Sequence, residues 1–203
     1  MSFPDFNASD AHIQWQRFCD LSWYHDDLGV WLDISRMHVN ATDLQQLQPR
    51  MDKAFAAMQE LEAGAIANPD EQRQVGHYWL RTPELAPSSE LQQHISREID
   101  LIAAFGRDVI NGTIKAPNGE AFTDVLWSGI GGSGLGPALM IKALQKPGEG
   151  LPFHFFDNVD PNGMSNVLAG LEGRLDRTLV VTVSKSGGTP EPHLGMEQAR
   201  HRL

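Results

Sequence analysis

The stretch VLWSGIGGSGLGP, residues 125–137, decides the fold of this chain. Its first six residues form a short apolar run typical of a buried strand, and a cluster of glycines follows immediately. Two more apolar runs lie downstream, at residues 151–156 and 178–183. Stretches compatible with helices, at residues 135–145 and 161–171, separate the three runs. Strands that alternate with helices at this spacing predict βαβ units, hence an α/β fold built on a parallel sheet.

The residues before this stretch have a different pattern, because apolar side chains recur there every three or four positions through about residue 115. A capping box from Thr42 to Gln45 predicts the start of one helix, and Pro49 predicts a break or kink within it. A second box begins a longer helix at Ser89, which Asn111-Gly112 would end. The loop 116–121 is the predicted boundary between a helical region, 1–118, and an α/β region, 119–203.

Composition excludes several classes of protein. The 203 residues carry 16 basic and 26 acidic side chains, a formal net charge of −10, whereas a nucleic-acid-binding protein would show a basic surface. No apolar run approaches the ~18 residues that a membrane span needs, and residues 1–10 do not resemble a secretory signal. The single cysteine, Cys19, cannot form an internal disulfide, which suits the reducing cytoplasm. The histidines include no pair at metal-ligand spacing, so no metal site is predicted.

The glycine loop allows more than one interpretation. Gly129, Gly131 and Gly134 satisfy G-x-G-x-x-G, and Asp157 follows the next apolar run about 20 residues further on, as in dinucleotide-binding proteins. A nicotinamide-dependent oxidoreductase is therefore one candidate. Alternatively, the glycines make a tight turn between a strand and a helix. The free N–H groups at the start of that helix attract an anion.

A second loop, SKSGGTPE at residues 184–191, follows the third apolar run. It offers three hydroxyls, two glycine amides and one ammonium group, on Ser184, Ser186, Thr189, Gly187, Gly188 and Lys185. Thr189 is the predicted N-cap of a helix with Pro190 at its first position. These donors form a cup that suits a compact phosphate better than a stretched pyrophosphate. Loops at adjacent strand ends converge on the carboxyl edge of a parallel sheet, where such folds bind ligands.

Together the two loops resemble those of a known family. Residues 131–137, GGSGLGP, followed about fifty residues later by SKSGGTPE, are similar to the sugar isomerase (SIS) domain of the glucose-6-phosphate isomerase family. Residues 33–36 (DISR), 64–69 (GAIANP) and 75–81 (VGHYWLR) resemble the N-terminal region of one bacterial branch, so the similarity spans most of the chain. The resemblance implies a three-layer αβα, flavodoxin-like domain.

The resemblance also implies an activity: the reversible conversion of glucose 6-phosphate to fructose 6-phosphate in glycolysis and gluconeogenesis, without metal or nucleotide cofactor. By position, Gly132 and Ser133 would touch the sugar phosphate from the first loop. The second loop would cradle the phosphate with Ser184, Lys185, Ser186, Gly187, Gly188 and Thr189. Family members are usually homodimers in the cytoplasm.

No catalytic residue is assigned within the chain. Aldose–ketose isomerisation needs a positioned base and stabilisation of a developing oxyanion. In the family a Glu, an Arg, a His and a Lys supply these functions from segments that follow the phosphate loop. The resemblance therefore identifies an N-terminal portion with an unfinished SIS domain, expected to show no turnover alone. A non-catalytic SIS module that binds phosphosugars is the remaining alternative.

Two positions differ from the family pattern. Pro192-His193 stand where the family usually continues with Thr, and the proline removes one backbone donor near the phosphate. Gly134 occupies a position where a small or acidic side chain is more usual. That glycine also completes the dinucleotide fingerprint.

Overall fold

The first part of the chain mixes helices with short antiparallel hairpins. The computed structural model describes residues 3–202. In order, its first elements are α1 (Ala11–Leu21), β1 (Ser22–His25), β2 (Val30–Asp33), α2 (Ala41–Glu62), β3 (Ile66–Asn68), β4 (Arg73–Gln74), a short 3-10 turn (Pro83–Leu85) and α3 (Ser89–Ile110). β1 pairs with β2 and β3 with β4, both antiparallel. The two hairpins were not predicted, because strands this short and this exposed show no clear alternation of polar and apolar residues.

The predicted break in α2 is wrong, because this helix continues through Pro49. Proline removes the hydrogen bond to the carbonyl four residues earlier, but Pro49 is exposed, so water can satisfy that group. The predicted start at Thr42 is also wrong by two residues. Asn40 is the N-cap, and it forms the capping box with Asp43.

A buried arginine stabilises the beginning of the chain. The Arg17 side chain is only 2% exposed and lies on the inner side of α1. Its Nε donates to the carbonyl of Ser35 at 2.9 Å and its Nη1 to that of Pro4 at 2.9 Å. Its Nη2 donates to the carbonyls of Met37 and Val39 at 2.9 and 2.8 Å. The guanidinium therefore joins α1 to two separate segments by charge-assisted hydrogen bonds.

The second part of the chain contains the parallel sheet. Its elements are β5 (Asp124–Ser128), α4 (Gly132–Leu144), β6 (Phe153–Phe156), α5 (Pro161–Gly170), a 3-10 turn (Leu175–Arg177), β7 (Thr178–Thr182) and α6 (Pro190–Arg200). The strand order is β6-β5-β7, and both pairings are parallel. The α/β fold class and all three strands of the α/β region are thus confirmed.

Helices cover both faces of this sheet. Leu126, Phe156 and Leu168 belong to a buried apolar cluster between the sheet and helices α5 and α6. On the opposite face Val125 and Trp127 line an apolar groove of about 640 Å³, bounded by α4 and the C-terminal half of α3. This arrangement is consistent with the three-layer αβα domain that the family resemblance implied.

The chain divides into two compact units, of which the first ends at Ile95 and the second begins at Ser96. This division lies inside α3, whereas the sequence analysis places a domain boundary between residues 118 and 119, which remains a prediction. Between residues 3 and 202 no helix combines the length and the apolar character needed to cross a membrane.

Candidate functional site

The two loops that the sequence singled out leave adjacent strands at the same edge of the sheet. Ser128, the last residue of β5, is in register with Thr182, the last residue of β7. The Val183 amide extends this pairing by donating to the Ser128 carbonyl at 2.9 Å. The starts of α4 and α6 therefore lie side by side at the carboxyl edge. This is the edge where open α/β sheets bind ligands.

The glycines of the first loop are required by close backbone contacts. A Cβ atom at Gly134 would collide with the carbonyl oxygen of Gly129, and one at Gly129 would lie 2.7 Å from the Ser133 carbonyl oxygen. Gly131, the N-cap of α4, has φ 53° and ψ −129°, a conformation that residues with a side chain rarely adopt. Packing between the strand end and the helix start thus explains the G-x-G-x-x-G pattern without a bound dinucleotide.

Gly132 and Ser133 form the first turn of α4, where Gly132 is exposed and Ser133 is half-buried. The Ser133 amide donates to the Ile130 carbonyl at 3.1 Å, so its hydroxyl is the group that it can offer to a ligand. The Ser133 carbonyl in turn accepts a hydrogen bond from Nε1 of Trp127 at 2.8 Å. The first turn is therefore attached directly to β5.

The second loop is organised around the Thr189 hydroxyl. The hydroxyls of Ser184 and Ser186 each lie 3.3 Å from Oγ1 of Thr189. The amide of Gly187 donates to the Ser184 hydroxyl at 3.1 Å, and that of Gly188 to the Ser186 hydroxyl at 3.2 Å. The five residues thus form one hydrogen-bonded cup, which we call the hydroxyl cup. An anion that enters it must exchange these internal hydrogen bonds for its own.

Lys185 lies in the same loop and is exposed. Gly187 has φ 73°, the left-handed conformation that favours glycine, so the loop can reverse direction between the two serines and α6. All of the predicted second-loop residues are thus placed in one segment directly before a helix start. The N-terminus of α6 adds the positive end of the helix dipole and the amide of Glu191, whereas Pro190 and Pro192 have no N–H.

The start of α6 confirms the predicted N-cap position of Thr189 and the first position of Pro190. The Thr189 side chain makes no capping hydrogen bond, since its hydroxyl belongs to the cup. Pro192 is tolerated at the third helical position, where its ring is buried. Its carbonyl accepts a hydrogen bond from Oγ of Ser128 at 3.2 Å. Sequence reasoning missed both Ser128 and Trp127, because side-chain bonds to another element leave no periodic pattern.

A charged cluster occupies the opposite, amino end of β5. The buried Asp124 carboxylate has Oδ1 at 2.8 Å from Nε2 of His154 and at 3.4 Å from Nη1 of Arg174. Its Oδ2 accepts no hydrogen bond from the residues that the structure describes. Among residues 3–202, no group of three or more His, Cys, Asp or Glu side chains is arranged to hold a metal ion. The cluster is at the wrong edge of the sheet to contact a ligand in the cup.

Comparison with known proteins gives a consistent result. A sequence model described as phosphoglucose isomerase matches residues 33–203. The whole chain is 98% identical to part of the glucose-6-phosphate isomerase of Synechococcus sp. (strain CC9605), and covers 38% of that protein. It is 79% identical to the glucose-6-phosphate isomerase of Parasynechococcus marenigrum (strain WH8102) and 72% identical to that of Prochlorococcus marinus (strain MIT 9313), covering 37% of each. The chain thus spans well under half the length of these relatives.

Proposed function

Because this chain belongs to the phosphoglucose isomerase family, we propose that it supplies the sugar-phosphate-binding part of an enzyme that interconverts glucose 6-phosphate and fructose 6-phosphate. One observation carries the assignment of the site. Three hydroxyls and two glycine amides converge in the hydroxyl cup, at a helix start beside a second helix start on the adjacent strand. Hydroxyl and amide donors at helix N-termini are suited to a phosphate monoester.

The local donors matter because the chain as a whole repels anions. The formal net charge is −10, so attraction of a phosphate must come from groups close to it. In our proposal Ser184, Lys185, Ser186, Gly187, Gly188 and Thr189 cradle the phosphate. Gly132 and Ser133 contact the same ligand from the first loop, and the sugar carbons remain accessible for chemistry.

We assign no catalytic base within these residues. Transfer of a proton between C2 and C1 of the sugar requires a base within hydrogen-bonding distance of that proton, and a donor for the developing oxyanion. The acidic residue nearest in sequence, Glu191, lies at the second position of α6, where a carboxylate offsets the helix dipole. We therefore assign the base and the oxyanion donor to parts of the enzyme outside this chain. Action in the cytoplasm, as a homodimer, belongs to the same proposal.

Titration calorimetry on the chain tests the ligand class. Glucose 6-phosphate, fructose 6-phosphate and inorganic phosphate should bind, whereas glucose and NAD should not. Ser184→Ala should weaken binding of all three phosphates about tenfold, because a charge-assisted hydrogen bond is lost. Ser165→Ala, on an exposed position of α5, is the matched control and should bind like the parent chain.

A coupled assay for conversion of glucose 6-phosphate tests the assignment of the base. The 203-residue chain should bind the sugar phosphate without turning it over. Sustained turnover by the purified chain would contradict our placement of the base elsewhere. Binding of NAD in preference to sugar phosphates would instead favour the oxidoreductase interpretation of the glycine loop.

A further inference from the structure

Two consecutive residues of β5, the central strand, each donate a side-chain hydrogen bond to the first turn of a helix, one to α4 and the other to α6. Trp127 and Ser128 point to opposite faces of the sheet, as neighbours in a strand do. Trp127 donates to the carbonyl of Ser133 in the first turn of α4, at 2.8 Å. Ser128 donates to the carbonyl of Pro192 in the first turn of α6, at 3.2 Å.

The bond from Trp127 replaces one that the helix cannot make. In an α-helix the Ser133 carbonyl would accept from the amide of residue 137. That residue is Pro137, which lies inside α4 and has no N–H. The indole N–H of Trp127 supplies the missing donor to a carbonyl that would otherwise lose its helical partner.

The bond from Ser128 lies in a tightly packed contact. Ser128 is 1% exposed, and Pro192 is buried beside it. A Cβ atom at Gly195 would collide with the Ser128 hydroxyl and would lie 3.2 Å from Cδ2 of Phe156. The glycine therefore lets α6 approach the strand closely enough for the hydroxyl to reach the Pro192 carbonyl.

We propose that Trp127 and Ser128 are positioning residues that fix the separation between the first loop and the hydroxyl cup. Two donors on adjacent residues of one strand have little freedom to move apart, so the helix starts that they hold have little freedom as well. The proposal rests on the function assigned above. A hexose 6-phosphate that contacts both loops needs the correct separation, whereas inorganic phosphate held by the cup alone does not.

The variants remove single donors. Trp127→Phe deletes the indole N–H, and Ser128→Ala deletes the hydroxyl. The chain offers a matched control for each. Trp79→Phe removes an equivalent indole bond to the Glu62 carbonyl in the first compact unit, and Thr178→Val removes a hydroxyl bond to the Arg174 carbonyl at the amino edge of the sheet.

The first measurement is amide hydrogen exchange in the ligand-free chain. Trp127→Phe should speed exchange about fivefold at residues 134–136 and 138, and Ser128→Ala at residues 193–197, as expected for loss of one hydrogen bond. Neither control should speed exchange at these residues. Pro137→Ala should lessen the effect of Trp127→Phe, because Ala at 137 supplies an N–H for the Ser133 carbonyl.

The second measurement is the ratio of two affinities by calorimetry. Each positioning variant should weaken glucose 6-phosphate binding about fivefold and change inorganic phosphate binding less than about twofold, because no bond inside the cup involves Trp127 or Ser128. Unchanged exchange, or equal loss for both ligands, would overturn the proposal. A parent chain that binds neither ligand would refute the proposed function, and the exchange data and the Pro137→Ala rescue would still decide whether the two residues position the helix starts.

Discussion

The first loop and the hydroxyl cup lie side by side, but different interactions give them their shape. Close backbone contact fixes the first loop, since Gly129 and Gly134 leave no space for a side chain at either position. Side-chain hydrogen bonds fix the cup, where Ser184 and Ser186 bond both to Thr189 and to glycine amides. A loop fixed by packing cannot adapt to a ligand, whereas a loop fixed by hydroxyls can exchange its internal bonds for bonds to an anion.

The largest change in the free energy of unfolding is expected from a substitution in the first loop. Gly134→Ala should lower the free energy of unfolding by about 3 kcal/mol, because the new Cβ atom would force apart a strand end and a helix start that touch. Urea denaturation followed by circular dichroism measures the change.

Gly136→Ala is the matched control, since it lies two residues further along the same helix and an added Cβ there would have no atom within 4 Å beyond its own helix turn. It should change stability by less than about 0.5 kcal/mol, because the helix preference of alanine over glycine is offset by the contact of its Cβ with the ring of the following Pro137. Equal effects of the two substitutions would show that packing does not fix the first loop.

A smaller change in the free energy of unfolding is expected from substitution of Gly187 in the hydroxyl cup. Gly187→Ala should cost about 1.5 kcal/mol, because its φ of 73° strains any residue with a side chain. Gly188→Ala should cost close to nothing, since the nearest atom to its added Cβ, Oγ of Ser186, would be 4.0 Å away. The same denaturation experiment compares them. If Gly188→Ala cost more stability than Gly187→Ala, the left-handed conformation of Gly187 would not determine the shape of the cup.

The smallest changes in stability are expected from removal of the two serine hydroxyls of the cup. Ser184→Ala should destabilise the chain by about 1 kcal/mol, because the half-buried Ser184 hydroxyl both accepts from Gly187 and donates to Thr189. Ser186→Ala should cost only a few tenths of that amount, because Ser186 is exposed and water can replace its hydroxyl. The midpoints of thermal unfolding of the two variants, measured at the same protein concentration, test this difference. Identical midpoints would mean that burial does not distinguish the two serines.

The sheet could be predicted from the sequence because its strands are short continuous apolar runs, mostly buried or half-buried and punctuated by glycine, proline and serine. The same reasoning placed Thr189 and Pro190 at the start of α6, where local turn chemistry determines the structure. The β1–β2 hairpin could not be found in this way, since every residue of β2 is exposed. The long helix α2 was predicted, although the effect of Pro49 was not, because the cost of a proline depends on whether water reaches the freed carbonyl.

Side chains that hydrogen-bond to a backbone carbonyl of another segment were harder to predict than the residues of the two loops. A buried arginine bonded only to carbonyls, such as Arg17, has no sequence signature, and neither does a strand serine that reaches a helix carbonyl. One signal was present for Trp127. Pro137 inside a predicted helix implies a carbonyl four residues earlier that needs a donor from elsewhere.

The strand order β6-β5-β7 has a consequence for the time course of folding. The pairing of β5 with β7 joins residues roughly fifty positions apart in sequence, so it requires closure of a long loop, which is slow to form. We expect the first loop and the hydroxyl cup to come together only when this pairing is made, which long loop closure makes a late step of folding. A sugar phosphate that bridges them would therefore slow the unfolding rate much more than it would speed folding, which stopped-flow unfolding with and without glucose 6-phosphate would measure.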